Sequence, residues 1–441
     1  MNRPYTKTRA AYAKAKTVTP LGVNSNFRYA GDDTMVVARG EGPYVWDMDG
    51  NRYIDYRLAY GPVILGHGDK RVTERITQQL GMGNLYAHTH PLEIEVAERI
   101  IKMHPGVEKV RFSNSGTEAT MHATRLARAY TNRDAVIKLE GAYHGNHDYV
   151  LWSTANMPVG SGGSPRSPVP VAQSSGIPYE IRGMLFVARF NDFEGMEKLV
   201  KDKGGEVAAM IVEPMMGNAA CLMPEPGYLE HLRRLCDEHG IPLIFDEVKT
   251  GFRIANGGAT EYFGVKADLY TFAKALGNGY PVAAIGGKRE VMDTIAFGQV
   301  VHGGTYCGNA VGMAAAAAVL EAFEKESVLA RMAGRGQRLM KGVSDILTEH
   351  GLPHFISGHP NMFGLMFEPK VEKPKEFRDV IKGNFRMFDL FGETLRDLGV
   401  DVEGDFREPW FLCDAHTDAV IDETLNIVND AAKLTKQNYH P

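Results

Sequence analysis

The chain has 441 residues, 44% hydrophobic and 23% charged, with a formal net charge of -5. That length supplies a sizeable core and more than one domain, and the acidic balance offers no basic face to nucleic acid or an anionic membrane. The four cysteines, Cys221, Cys236, Cys307 and Cys413, form no CxxC pair and read as small buried hydrophobes of a reducing compartment.

The opening "MNRPYTKTRAAYAKAK" is basic, but no apolar segment follows it, so no secretory signal is expected. No apolar run reaches membrane-span length, and a cytoplasmic location is expected. In "YVWDMDGNRYIDY", Tyr44 to Tyr56, Asp49-Gly50 sits between two alternating runs and predicts a β-hairpin. What precedes it reads as an N-terminal arm. From about residue 70 to 310 helical and strand patterns alternate. "RVTERITQQL", "LEIEVAERIIKMH", "TEATMHATRLARAY", "FEGMEKLVKDK" and "GYLEHLRRLCDEHG" have helical period. Between them "KVRFS", "AVIKL", "MLFVARF", "VAAMIVE", "PLIFDEV" and "DLYTFAK" are short, continuously apolar strands. This is the pattern of an α/β fold with a mostly parallel sheet covered on both faces. Gly160–Gly176, rich in Gly, Ser and Pro, predicts a long surface loop. From "NAVGMAAAAAVLEAFEKE" onward, long helices alternate with the isolated strands "FGLMFE" and "WFLCDAH". The expected division is an arm and hairpin over 1–66, a large domain over 67–312 and a smaller α+β domain over 313–441.

Several residues could carry chemistry. "SNSGTEAT", Ser113 to Thr120, follows a strand and opens a helix. Its backbone N–H groups, with Ser115, Gly116 and Thr117, suit a phosphate; Ser115-x-x-Glu118 is equally a capping box that needs no ligand. Asp246 ends an apolar strand at the edge where open α/β sheets hold ligands. Its carboxylate would pair with a protonated ring nitrogen, or cap the following turn. Lys274, in "TFAKALGNGYP", ends the next strand. An amine among apolar neighbours loses its proton more readily and can form an imine with an aldehyde; a snorkelling lysine is the alternative. "GAYHGNH" puts Tyr143 and His144 after "AVIKL", where an aromatic stacks on a planar cofactor or fills the core. His90, His144 and His147 lack zinc spacing, so no metal is expected. Thr305, in the glycine-rich "GGTYCGNAV", is a second phosphate contact. Together these form a phosphate cup, an aromatic plate, a carboxylate for a ring nitrogen and a lysine for an aldehyde. Pyridoxal 5'-phosphate requires those contacts.

The stretches "NSGTEA", "GAYHG", "IVEP", "LIFDEV.TGFR" and "AKALGNGYP" resemble the class III aminotransferases of fold type I, over nearly the whole chain. "GVNSNFR", "YGPVILGH", "PEPGYLEHLRRLCDEHG" and "GGTYCGN" are most similar to the glutamate-1-semialdehyde aminomutases and their transaminase relatives. The resemblance implies a seven-stranded-type sheet and roles at matching positions. Lys274 would bind the cofactor as an imine and shuttle the proton, Asp246 would pair with the pyridine nitrogen, and Val248 would pack on the ring. Tyr143 would cover the other face with His144 beside it, and Ser115, Gly116 and Thr117 would hold the phosphate. Glu213 and Asn218 would lie near the O3' side. Thr305 would reach the phosphate of a neighbouring subunit, implying a homodimer. Arg28 would contact the substrate carboxylate, and Glu408, in "REPWF", matches an active-site glutamate of the "FEA" motif.

The departures bear on the reaction. Tyr60 stands in "AYGP" where the aminomutases have tryptophan in "SWGP", and "SNFRYA" replaces "SPVRAF". The gating loop, about Leu151 to Ile177, is recast. A changed loop favours release of an oxo product, so the expectation is ordinary transamination from a β- or ω-amino acid or an amine to a 2-oxo acid. Intramolecular aminomutation and amino-acid epimerisation are the enzyme alternatives, and a phosphate-binding protein without chemistry is the alternative from another class.

Overall fold

The computed structural model describes residues 3–440. Helix α1 (Thr6–Val18) precedes strands β1 (Val37–Glu41), β2 (Tyr44–Asp47) and β3 (Arg52–Asp55). Next come α2 (Lys70–Leu80), α3 (Pro91–Met103), β4 (Lys109–Ser113), α4 (Gly116–Thr131) and β5 (Ala135–Leu139). The expected long loop carries a small hairpin, β6 (Gly163–Ser164) with β7 (Ser167–Pro168). Alternation resumes with β8 (Leu185–Ala188), α5 (Phe193–Lys203), β9 (Val207–Val212), α6 (Tyr228–His239), β10 (Leu243–Asp246), α7 (Gly258–Phe263), β11 (Leu269–Phe272) and β12 (Ala283–Gly287). The rest comprises α8 (Arg289–Met292), α9 (Ala310–Lys325), α10 (Val328–Glu349), β13 (His354–His359), β14 (Met362–Phe367), α11 (Phe377–Val380), α12 (Phe385–Leu398), β15 (Val400–Asp401), β16 (Trp410–Phe411) and α13 (Asp418–Asn438).

The central sheet has seven strands in the order β4-β12-β11-β10-β9-β5-β8. All neighbours pair in parallel except β12, which runs antiparallel to both β11 and β4. Every residue of β5, β9, β10, β11 and β12 is buried. Helices on both faces explain why these strands read as unbroken apolar runs rather than alternating ones. Because β4, β5, β9, β10 and β11 are parallel, the loops after them leave from one edge, the edge where such sheets bind ligands.

The hairpin expected over Tyr44–Tyr56 is present as β2 and β3. Less legible was its partner: β3 pairs in parallel with β15, from the far end of the chain. Two residues give no periodicity to read. A three-stranded sheet, β13-β14-β16, packs with α10 and α12 in the C-terminal region. Helix α9 packs on α2 and α3. Among the described residues no helix is long and apolar enough to cross a membrane.

Candidate active site

At that sheet edge lies a cavity of about 300 Å³. Lys274, the first residue after Ala273, enters it from the end of β11. Its Nζ donates to the Tyr60 carbonyl at 2.9 Å. Its backbone φ is +43°, in the left-handed region that side chains other than glycine rarely occupy. Burial, and then the charge of the nearby Lys249, push the Lys274 amine down to about 7.

Asp246, 4% exposed, ends β10 on the same wall. Its Oδ2 lies 2.7 Å from His144 Nδ1. Its Oδ1 accepts the Val248 N–H at 3.1 Å and the Thr271 hydroxyl at 3.0 Å. His144 is itself buried, and its Nε2 meets no partner among the described residues. Glu213, after β9, accepts the N–H of Tyr143 at 2.9 Å, the N–H of Gly217 at 3.0 Å and the Asn218 amide at 3.2 Å. Burial raises its carboxyl above the ordinary glutamate value. It therefore ties the loop that carries Tyr143 to the turn that carries Asn218.

The start of α4 realises both readings of "SNSGTEAT". The capping box is made: Ser115 Oγ accepts the Glu118 N–H at 3.2 Å, and Glu118 Oε2 accepts the N–H groups of Asn114 and Ser115 at 2.6 and 3.0 Å. The N–H groups of Gly116 and Thr117 donate to no protein group among the described residues. Two donors thus remain to face the cavity at a helix N-terminus. A Cβ on Gly116 would sit 3.0 Å from both Val248 methyls, so the turn closes tightly on the cavity's aliphatic wall.

Ser115, Gly116, Thr117, Tyr143, His144, Glu213, Asn218, Asp246, Val248 and Lys274 all line this one cavity. Thr305 does not. It lines a separate cavity of about 690 Å³ with Tyr86, His88 and Gly304. Arg28, Tyr60 and Glu408 lie outside the lining as well. Arg28 is exposed in a short turn next to Phe27, whose ring meets the edge of Tyr143 at 5.7 Å. Tyr60 reaches the site through its carbonyl, while its hydroxyl meets Arg57 at 2.9 Å and the Phe27 carbonyl. Glu408 acts at one remove: its carboxylate holds Lys249 Nζ, a lining residue, at 2.7 Å.

Sequence reasoning did not place Lys249 or Tyr280 on the wall. Nor did it find the rim pair of Arg57 with Glu403, 2.5 Å apart. It also missed what fastens the 151–177 loop. Arg378 of α11 donates to both carboxylate oxygens of the buried Glu140, at 2.7 and 2.8 Å, and to the carbonyls of Gly162 and Gly163. Arg407 donates to the Ala155 carbonyl and to Asn156 Oδ1. From beneath, the wholly buried Lys138 Nζ donates to the carbonyls of Ala142 at 3.1 Å and Trp152 at 2.5 Å. The adjacent Arg378–Glu140 charges give no signal in a single sequence, because they are far apart along it.

The family model described as Aminotransferase class-III matches residues 28–428. A glutamate-1-semialdehyde 2,1-aminomutase of Methanothrix thermoacetophila is 40% identical over 418 residues, 95% of this chain and 94% of that protein. One from Aquifex aeolicus is 39% identical, covering 97% of this chain and 99% of that one. An omega-transaminase from Sphaerobacter thermophilus superposes with a TM-score of 0.92 at 29% identity, over 99% of both chains.

Proposed function

The chain belongs to the class III aminotransferases, and from that premise we propose that it shifts an amino group within one small carboxylate-bearing substrate, with Lys274 carrying the proton. Pyridoxal 5'-phosphate is the cofactor of the class. The cavity fits it. A buried carboxylate, an amine poised to be neutral and two unpartnered helix N–H groups face one space of about 300 Å³. When bound, the cofactor supplies an aldehyde that takes up the amino group and a cationic ring that draws off the electron pair left by deprotonation.

The chain's own residues do the rest. Asp246, locked by His144, Thr271 and the Val248 N–H, would set a negative charge against the ring nitrogen and keep it protonated. Gly116 and Thr117 would hold the phosphate through their N–H groups, with the Ser115 and Thr117 hydroxyls adding contacts. Val248 and Tyr143 would enclose the ring, and Glu213 and Asn218 would hold its O3' side. Lys274, neutral above about pH 7, accepts the proton from the carbon that bears the amino group and returns it at another atom. Arg28 would meet the substrate carboxylate. Thr305, in its separate cavity, would complete the phosphate site of a second copy, making the enzyme a homodimer. The exposed Phe297, Val301 and Tyr306, close to it along the chain, support that assembly.

The observation that carries the reading is the convergence of the Lys274 amine and the buried Asp246 carboxylate on one cavity. The names of the relatives favour the intramolecular format over transfer between two substrates. The loop argument that favoured release is weakened, because Arg378 and Arg407 hold that loop down. Transfer from a β- or ω-amino acid or amine to a 2-oxo acid keeps one support, the altered rim of Tyr60, Arg57 and Glu403. Glutamate 1-semialdehyde supplied alone decides between them. Repeated turnover to the isomer aminated at carbon 1, with no added oxo acid, is expected. Turnover that requires a 2-oxo acid overturns the intramolecular format. A colourless protein with no cofactor fixed to Lys274 by borohydride overturns both.

A further inference from the structure

A second lysine shares the cavity wall with Lys274. Lys249, three residues beyond Asp246, is 8% exposed. Its Nζ donates to Glu408 Oε2 at 2.7 Å, to Asn218 Oδ1 at 2.7 Å and to the Gly217 carbonyl at 3.1 Å. An ammonium has three N–H groups, and all three are matched, one of them by a carboxylate. The stem is packed too: a Cβ on Gly217 would lie 2.6 Å from Lys249 Cδ. Lys274, by contrast, has one acceptor, the Tyr60 carbonyl. Two ammonium groups facing one small cavity repel, and the one with the poorer acceptors gives up its proton.

The charged groups around Lys274 come from every side. Asp246 and Lys249 belong to the end of β10, Glu213 to the end of β9, His144 to the loop after β5, and Glu408 to the segment before β16. The buried Arg253 adds a further positive charge. Burial and Lys249 act to lower the Lys274 amine, while Glu408 and Glu213 act to raise it.

We propose that Lys249 is a positioning residue of the amino transfer, a cation clamped by Glu408 and Asn218 whose charge keeps the facing Lys274 in its proton-accepting form. The proposal rests on Lys274 being the amine that binds the cofactor.

The test titrates the holoenzyme, following the absorption band of the Lys274-bound cofactor against pH in four proteins; the midpoint is that of the imine nitrogen, which is the Lys274 nitrogen and would feel the same neighbouring charges. Relative to wild type, Lys249→Met moves the midpoint up by about one pH unit, a tenfold change in the neutral fraction. Lys249→Arg restores the wild-type midpoint. Glu408→Gln, which removes the opposing carboxylate, moves it down. A Lys249→Met midpoint equal to wild type overturns the proposal, as does movement of the Met and Gln variants in the same direction. Should Lys249→Met lose the cofactor altogether, Glu408→Gln and Lys249→Arg decide alone: a Gln midpoint that stays or rises overturns it. A wild-type protein in which borohydride fixes no cofactor to Lys274 overturns the reading of the reaction itself. That result is distinct from a band fixed to Lys274 whose midpoint ignores Lys249.

Discussion

The floor of the cavity and its rim are built in opposite ways. The acidic and basic side chains of the floor stand at or just after strand ends of one sheet: Asp246 and Lys249 after β10, Lys274 after β11, Glu213 after β9 and His144 after β5. The rim is assembled from Phe27 and Arg28, Arg57 and Tyr60, the 151–177 loop, and Glu403 to Glu408, segments that meet only through the tertiary fold. A rigid sheet can hold reacting groups in fixed mutual positions, whereas loops pinned by ion pairs can change without disturbing them. On the proposed reading the amino-transfer chemistry belongs to the floor, and the choice of substrate and of reaction format belongs to the rim.

Substitutions on the two parts should fail differently. Lys274→Ala removes the amine proposed as nucleophile and proton carrier. Turnover should fall by about 10⁴-fold or more while the fold is retained, measured by steady-state rates beside circular dichroism. Normal turnover in that variant would shift attention to Lys249. Asp246→Asn keeps the shape but loses the buried charge. A rate loss of roughly 10²–10³-fold is expected in steady-state turnover, about 2.7–4.1 kcal/mol of barrier. Arg378→Ala acts on the rim. It leaves the Glu140 carboxylate, 1% exposed, without its partner and releases Gly162 and Gly163. Stability should drop by about 3 kcal/mol in denaturant titration, and oxo product should escape during the single-substrate reaction. Unchanged product partition would show that the latch does not govern the reaction format.

The effect that is smallest per pH unit concerns Lys138. Burial pushes its amine down from the ordinary 10.5 to about 7. Between those values the unfolded chain binds a proton that the folded chain does not, so stability rises with pH in that window. The rise is at most about 1.4 kcal/mol per pH unit, and Lys138→Met should lack it. Equal slopes for the two proteins would show that the amine stays charged beneath the loop.

The same contrast governs what could be read from sequence. A strand end is marked locally, by an apolar run stopping at a polar residue. Asp246, Lys274, Tyr143 and the turn at Ser115–Thr117 were therefore visible, and the structure puts all of them on one cavity. Parallel pairing places such stops on a common edge. The capping box read from Ser115-x-x-Glu118 is made, and Glu118 takes the Ser115 N–H, so that Gly116 and Thr117 remain to donate. Partners far apart in sequence left no trace at all. Glu408 could be aligned with a family motif, but its link to Lys249, 159 positions earlier, exists only in the folded chain. The union of β3 with β15 rests on two residues.

The backbone of Lys274 bears one last consequence. A lysine held at a φ of +43° costs the fold of order 1–3 kcal/mol relative to a residue at ease there. Asparagine or glycine tolerates that conformation. An inactive Lys274→Asn chain should therefore outlast the working enzyme in heat.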